Sequence, residues 1–148
     1  MIRKVIGTIA IIVVLLAIAI QLIPYGHNHT NPPILAEPKW NSETTRATFY
    51  RTCGDCHSNQ TTWPWYSNIA PLSWLVYHDV QEGRSKFNVS EWGRTGENEG
   101  EAAAELVQNG EMPLPQYLLM HPNARLTPQE KDTFINGLIA TFGGGSGD

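Results

Sequence analysis

Cysteine is nearly absent: the 148-residue chain has two, Cys53 and Cys56, separated by only two residues. That scarcity excludes a disulfide framework, and a bridge closing so short a loop would stabilise little. It also leaves zinc short of a tetrahedral set, because no second Cys or His pair stands at matching spacing. Basic residues are scarce as well. Ten Lys and Arg face fourteen Asp and Glu; with Arg3 and Lys4 at the N-terminus set aside, eight remain against fourteen. An acidic chain without a basic stripe is a poor match for nucleic acid. It suits a plain soluble surface, or attraction toward a basic patch on a protein partner. Strand-like alternation is weak throughout and no internal repeat is present, so the pattern predicts an all-α fold.

One long apolar run stands out among what is present. Val5 to Ile20 is diluted only by Gly7 and Thr8, and Leu22 and Ile23 extend it past Gln21. At about 1.5 Å per residue, a helix of about 19 residues reaches roughly 28 Å, close to a hydrocarbon core of about 30 Å. Arg3, Lys4 and the amino terminus favour leaving that end in the cytoplasm. A cleaved signal peptide has a shorter apolar core and a small-residue cleavage site, whereas this run ends Gln21-Leu22-Ile23-Pro24-Tyr25. Residues 1–24 therefore fit an uncleaved signal anchor better than a cleaved signal. Either reading sends residues 25–148 out of the cytoplasm.

Residues 25–42, with three prolines and no periodicity, read as an extended linker, with Ile34, Leu35 and Trp40 able to dock on the neighbouring domain. Residues 143–148, GGGSGD, read as a flexible tail. Between them, 43–142 predict one domain with four helices. Ser42 caps the first, from Glu43 toward Cys53. Pro71 opens the second, which carries Leu72, Leu75, Val76 and Val80, with Gly83 near its end. Glu101–Asn109 forms a third, stopped by Gly110. Thr127, Pro128 and Glu130 sign the start of the fourth as a capping box, with Phe134, Ile135, Leu138 and Ile139 expected on its buried face.

The two cysteines lie in Cys53-Gly54-Asp55-Cys56-His57, the C-x-x-C-H pattern of covalent haem attachment. Two thiols must add across two vinyl groups on one edge of a porphyrin, and two intervening residues space the sulfurs for it. The next residue, His57, is then carried beneath the ring to coordinate iron, while Gly54 allows close approach of the backbone. A redox dithiol of the thioredoxin kind would need an α/β context that is missing. One covalent haem c is the expected cofactor.

The segment from Thr52 to Trp92 resembles a bacterial haem-binding domain family of membrane-anchored, single-motif c-type proteins. CxxCHSN, WPWYS, the SWLV helix, the EGR-to-SEW stretch and MPLPQY with its following His-Pro carry the likeness, which covers most of residues 43–141. Gly93–Ala104 is the poorest match. The resemblance implies a cytochrome c-like helical domain around one haem, held by a single-pass anchor on the periplasmic side of the inner membrane.

For the far side of the iron the candidates are Met112, Met120, His78, His121, His27 and His29. Met112 is preferred. It sits in Gly110-Glu111-Met112-Pro113-Leu114-Pro115, an irregular stretch similar to the sixth-ligand loop of small cytochromes c, where prolines fix the chain and no helix dictates direction. The competing reading is a methionine that fills a core gap. His121 and Met120 read as turn and packing residues, and His27 and His29 as exposed linker residues. A ligating histidine donates its other ring N–H to a carbonyl or carboxylate. In c-type cytochromes a downstream proline carbonyl serves, and Pro71 is the counterpart. Trp63, Trp65, Tyr66, Trp74 and Trp92 are candidates to line the pocket, with an indole N–H or Arg84 reaching a propionate.

With His57 and Met112 both bound, the iron has no open position, which predicts an electron carrier rather than an enzyme, working between redox proteins near the membrane. Two alternatives stay open: a gas or redox sensor or peroxidase-like protein with a vacant sixth position, and a haem-bearing subunit of a respiratory complex.

Overall fold

Ser42 and Thr127 begin helices, as their side chains dictate. The Ser42 hydroxyl accepts from the Thr45 N–H at 3.1 Å at the head of α2 (Glu43–Thr52). Thr127 and Glu130 complete a full capping box on the final helix, Pro128–Phe142. The computed structural model describes residues 1–94 and 99–143, so residues 144–148 of the expected tail lie outside the described residues. Among the described residues, secondary structure is helical apart from one isolated parallel bridge, Ala36 to Glu91. The order is α1 (Ile2–Ile20), α2, α3 (Gly54–His57), α4 (Leu72–Lys86), α5 (Ala103–Asn109), α6 (Pro115–Met120) and α7 (Pro128–Phe142), with short 3-10 turns between. Gly110, at φ +76°, ends α5 in the left-handed conformation that glycine adopts without strain. The six-residue α6, with Pro115 at its first turn, is one that hydrophobic periodicity does not announce.

The chain divides into two units. The first comprises Met1–Thr30 and Trp63–Asp79. Its α1 buries none of its residues and is long and apolar enough to cross a membrane. Immediately after α1, Gln21 clamps the Ala70 peptide: its amide nitrogen donates to the Ala70 carbonyl at 3.0 Å, and its amide oxygen accepts the Ala70 N–H at 2.9 Å. Gly26, at φ +82°, lies so close to Ser73 that a Cβ there would stand 2.7 Å from its carbonyl. Tyr25 meets Tyr77 edge-on at 5.3 Å. Residues 21–30 are thus fastened within their unit.

The second unit comprises Asn31–Thr62 and Val80–Asp148. Its core is Phe49 of α2, Phe87 and Val89 after α4, Ala103, Ala104 and Val107 of α5, and Phe134, Leu138 and Phe142 of α7. Both α5 and α2 pack on α7. The buried face of α7 is rotated from the sequence expectation: Gly137 and Phe142 join Phe134 and Leu138, Ile135 is half-buried, and Ile139 is exposed. Gly137 explains the turn, since a Cβ at that position would overlap the Thr45 side chain of α2. Residues 31–42 are extended but not loose. Leu35 and Ala36 donate to the Ser90 carbonyl at 2.8 and 3.1 Å, and Trp92 donates to Ala36 at 3.2 Å. Glu37 accepts from Arg46 twice, at 2.8 Å each, from the Trp40 indole at 2.9 Å and from the Tyr50 hydroxyl at 3.1 Å. The Arg46 guanidinium holds the Glu37 carboxyl at about 2, against desolvation that works the other way.

Candidate functional site

Cys53 closes α2 and opens α3, so the five residues of the motif wind into a single helical turn, with Cys56 and His57 both donating to the Cys53 carbonyl, at 3.2 and 2.9 Å. Positions three and four apart share a helix face, so Cys53, Cys56 and His57 are neighbours on one side of the turn. Neither cysteine is in a disulfide. Burial pushes the Cys53 thiol up to about 11, partly offset by the Thr52 hydroxyl.

Phe87 holds His57 in two ways. Its carbonyl oxygen lies 3.3 Å from Nδ1, and its ring stacks on the imidazole with centroids 4.3 Å apart. A carbonyl at Nδ1 selects the tautomer that leaves the Nε2 lone pair available. Burial lowers the imidazole below its ordinary pKa, which keeps it neutral. The carbonyl at His57 Nδ1 is that of Phe87, and the Gly83 backbone also interacts with the imidazole, where Pro71 was expected. The Pro71 carbonyl instead accepts the Trp74 and Leu75 N–H groups, at 3.1 and 3.4 Å, in the first turn of α4.

The loop after the motif is fixed by buried polar groups. Arg84 donates from Nε to the Ser58 carbonyl at 3.0 Å, and from Nη2 to Thr61 Oγ1 at 2.9 Å and Asn31 Oδ1 at 3.0 Å. Asn88 donates to Asn59 Oδ1 at 2.7 Å, and Ser90 Oγ accepts the Asn59 N–H at 2.9 Å. Gly83 brings α4 against the motif: a Cβ there would stand 2.6 Å from the Cys56 carbonyl oxygen. On another side, the Tyr117 hydroxyl donates to Asp55 Oδ2 at 2.7 Å. Burial and the Asp55 carboxylate hold that phenol well above its ordinary range, and the two cysteines are near enough to add to the effect.

A family model described as the haem-binding domain matches residues 15–140. The chain belongs to the haem-binding domain family. No curated protein and no solved structure matches it. The family match begins inside α1, so the pattern of the haem-binding domain takes in the chain between α1 and α2, which composition alone reads as a linker.

The donor set of this haem-binding domain fits its cofactor: two reduced thiols and a neutral imidazole share one helical turn. Met112 is half-buried and packs on the same hydrophobic core as Cys53. The other sequence candidates are dispersed. Trp63 stacks on His29 at 4.4 Å, and His29 Nε2 lies 3.1 Å from the Ser67 carbonyl, so His29 is not the exposed linker residue expected. Trp65 is 73% exposed, Tyr66 is buried, and the Trp74 indole N–H is buried with no partner among the described residues. Trp92 stacks on Phe142 in the core of the second unit. His78 and Met120 are exposed, and His121 stacks on Tyr117 at 4.0 Å. Arg84, expected near a propionate, bonds to Ser58 and Thr61 on the motif's own loop and to Asn31 in the segment before α2. Phe87, Asn88, Tyr117 and Gly83 are the site residues that sequence reading missed. An open groove lined by Gln108, Leu126, Lys131 and Ile135 includes none of the motif residues.

Proposed function

We propose that this haem-binding protein is a membrane-anchored, monohaem c-type electron carrier working outside the cytoplasm. Cys53 and Cys56 would hold the group through thioethers, and His57 and Met112 would supply the protein's ligands to its iron. When bound, the haem provides a one-electron Fe(III)/Fe(II) couple, with a potential that thioether ligation raises. The observation that carries the reading is the single turn with two thiols outside any disulfide and an imidazole oriented at Nδ1 by the Phe87 carbonyl. The chain's own residues supply rigidity: Phe87 fixes the imidazole plane, and Arg84, Asn88 and Ser90 fix the loop leaving it. Electron transfer favours such a site, because little has to reorganise when the charge on the iron changes. The helix α1, with Arg3 and Lys4 in its first turn, supports a single-pass anchor with its N-terminus in the cytoplasm.

Spectra of the purified, haem-loaded protein test the assignment. Haem should stay with the polypeptide in a denaturing gel, and the oxidised form should show the weak thioether-to-iron band in the far red. Met112→Ala should abolish that band, lower the potential and admit carbon monoxide to the reduced protein. A Met112→Ala protein with the wild-type band and potential would refute the second ligand, and the electron-carrier reading with it.

A further inference from the structure

The first unit carries an unusual surface just where α1 ends. Beyond α1 it consists of residues 21–30 and 63–79, and these contain no Lys, Arg or Glu and a single Asp, Asp79, at the far end. They contain three of the five tryptophans and three of the five tyrosines. Leu22, Ile23, Trp65, Ile69, Leu72 and Leu75 are all exposed, and Leu72 and Leu75, three apart on α4, share a face. A soluble surface rarely shows so many large apolar groups without charges among them. The Gln21 clamp on the Ala70 peptide fixes their depth: Ile69, Ala70 and Pro71 are tied to the first residue after α1 by two hydrogen bonds. If α1 spans the bilayer, Ala70 lies within a side chain's reach of the boundary where acyl chains give way to headgroups. That layer favours Trp and Tyr, which pair an apolar body with a polar tip, and it penalises fixed charge.

We infer that residues 63–75 form a lipid-seated surface, inserting Trp65, Ile69, Leu72 and Leu75 into the outer interfacial layer beside the exit of α1. This rests on the reading of α1 as a membrane anchor. The consequence is a first unit held flat against the membrane by two contacts rather than swinging from one.

The test uses the full-length, haem-loaded protein in vesicles of phosphatidylethanolamine and phosphatidylglycerol doped with a lipid bearing a photoreactive diazirine near the glycerol–acyl boundary. After illumination, labelled peptides are mapped by mass spectrometry. The expected result is label on α1 and on the Trp65–Leu75 peptides, several-fold above the peptide holding Leu119 and Met120, which are exposed apolar residues of the second unit. Leu75→Asp should lose label around Leu72–Leu75 while keeping the haem spectrum and the α1 label. Label on α1 with only background on Trp65–Leu75 would overturn the inference and leave the anchor standing. Absence of label on α1 would overturn the anchor reading and the inference together. Equal label on the Leu119 peptide would show that any exposed apolar side chain reacts, and would also overturn it.

Discussion

The two units of this chain handle apolar side chains in opposite ways. In the second, Phe49, Phe134 and Leu138 are almost wholly buried, and its sequence carries eight Lys and Arg against thirteen Asp and Glu. In the first, α1 buries nothing, and Leu22 and Trp65 are 81% and 73% exposed amid almost no charge. One unit encloses an apolar core of its own; the other leaves most of its large apolar side chains exposed. The difference teaches that the haem motif and the exposed apolar residues are separable: the partners described for the motif and its loop belong to the second unit, and the apolar surface to the first.

That separation can be broken most sharply at the motif. Replacing both Cys53 and Cys56 by Ser should remove haem staining from a denaturing gel completely, while leaving the protein in the membrane fraction. Persisting stain would sink covalent attachment, and loss from the membrane fraction would show that the two units depend on each other. Next in size is Gly83→Ala. The added Cβ meets the Cys56 backbone at 2.6 Å, and backbone cannot yield as a flexible side chain can, so a loss of about 1–3 kcal/mol is expected by overpacking. Thermal melting of the haem-loaded protein measures it. Gly7→Ala in α1, where nothing lies within 4 Å, should leave the melt unchanged.

Glu37 sharpens the comparison through pH, because so locked a carboxylate belongs to the second unit. Its folded pKa, about 2, is below the ordinary 4.5, so its stabilisation is complete above about pH 4.5 and is lost as pH falls from there toward 2. Discounted for the partly exposed Arg46 guanidinium, it contributes about 1–2 kcal/mol. Glu37→Gln should lower the unfolding free energy measured in urea by that amount at pH 7, and the gap from wild type should close by about pH 2–3. A gap that stays constant with pH would mean that the carboxylate's charge is not what stabilises the fold.

What could be read from the sequence was local. The apolar run, the capping box at Thr127-Pro128-Gln129-Glu130, the Ser42 cap and the C-x-x-C-H turn each depend on residues within a few positions of one another, so spacing alone exposes them. What could not be read depends on distant pairing. The carbonyl at His57 Nδ1 comes from Phe87, thirty residues on, and no periodicity says which way a carbonyl following a helix will point. Arg84 is a propionate candidate by charge, but in the fold its donors meet the Ser58 carbonyl and Thr61. Residues 31–42 have the composition of a linker, because several of the bonds that fix them run from backbone to backbone against residues 90–92, and others depend on the one carboxylate of Glu37 finding Arg46 and Tyr50 on α2. Gly137 could have corrected the buried face of α7, since a glycine inside a well-capped helix signals a close neighbour.

The smallest expected effect probes how the second unit holds Met112. The stretch from Glu111 to Tyr117 is fastened at both ends: the Leu106 carbonyl accepts from Glu111 and Met112, at 2.9 and 3.1 Å, and Tyr117 reaches Asp55 inside the motif. Tyr117→Phe removes only the second fastening. Asp55 keeps the Thr62 N–H at 2.8 Å on its other oxygen, so the cost should be about 0.5–1.5 kcal/mol, that of one hydrogen bond to a carboxylate in a half-open setting. The readout is specific. If the Tyr117 bond steadies the methionine against the iron, the far-red band should fade in the variant at a lower temperature than global unfolding, whereas in the wild type the two should coincide. Coincidence in both would leave Tyr117 as a contributor to stability with no part in ligation. Because Tyr117 and Asp55 both lie in the second unit, the lipid labelling of Trp65–Leu75 should not change, and a change there would show that the site and the membrane surface are coupled after all.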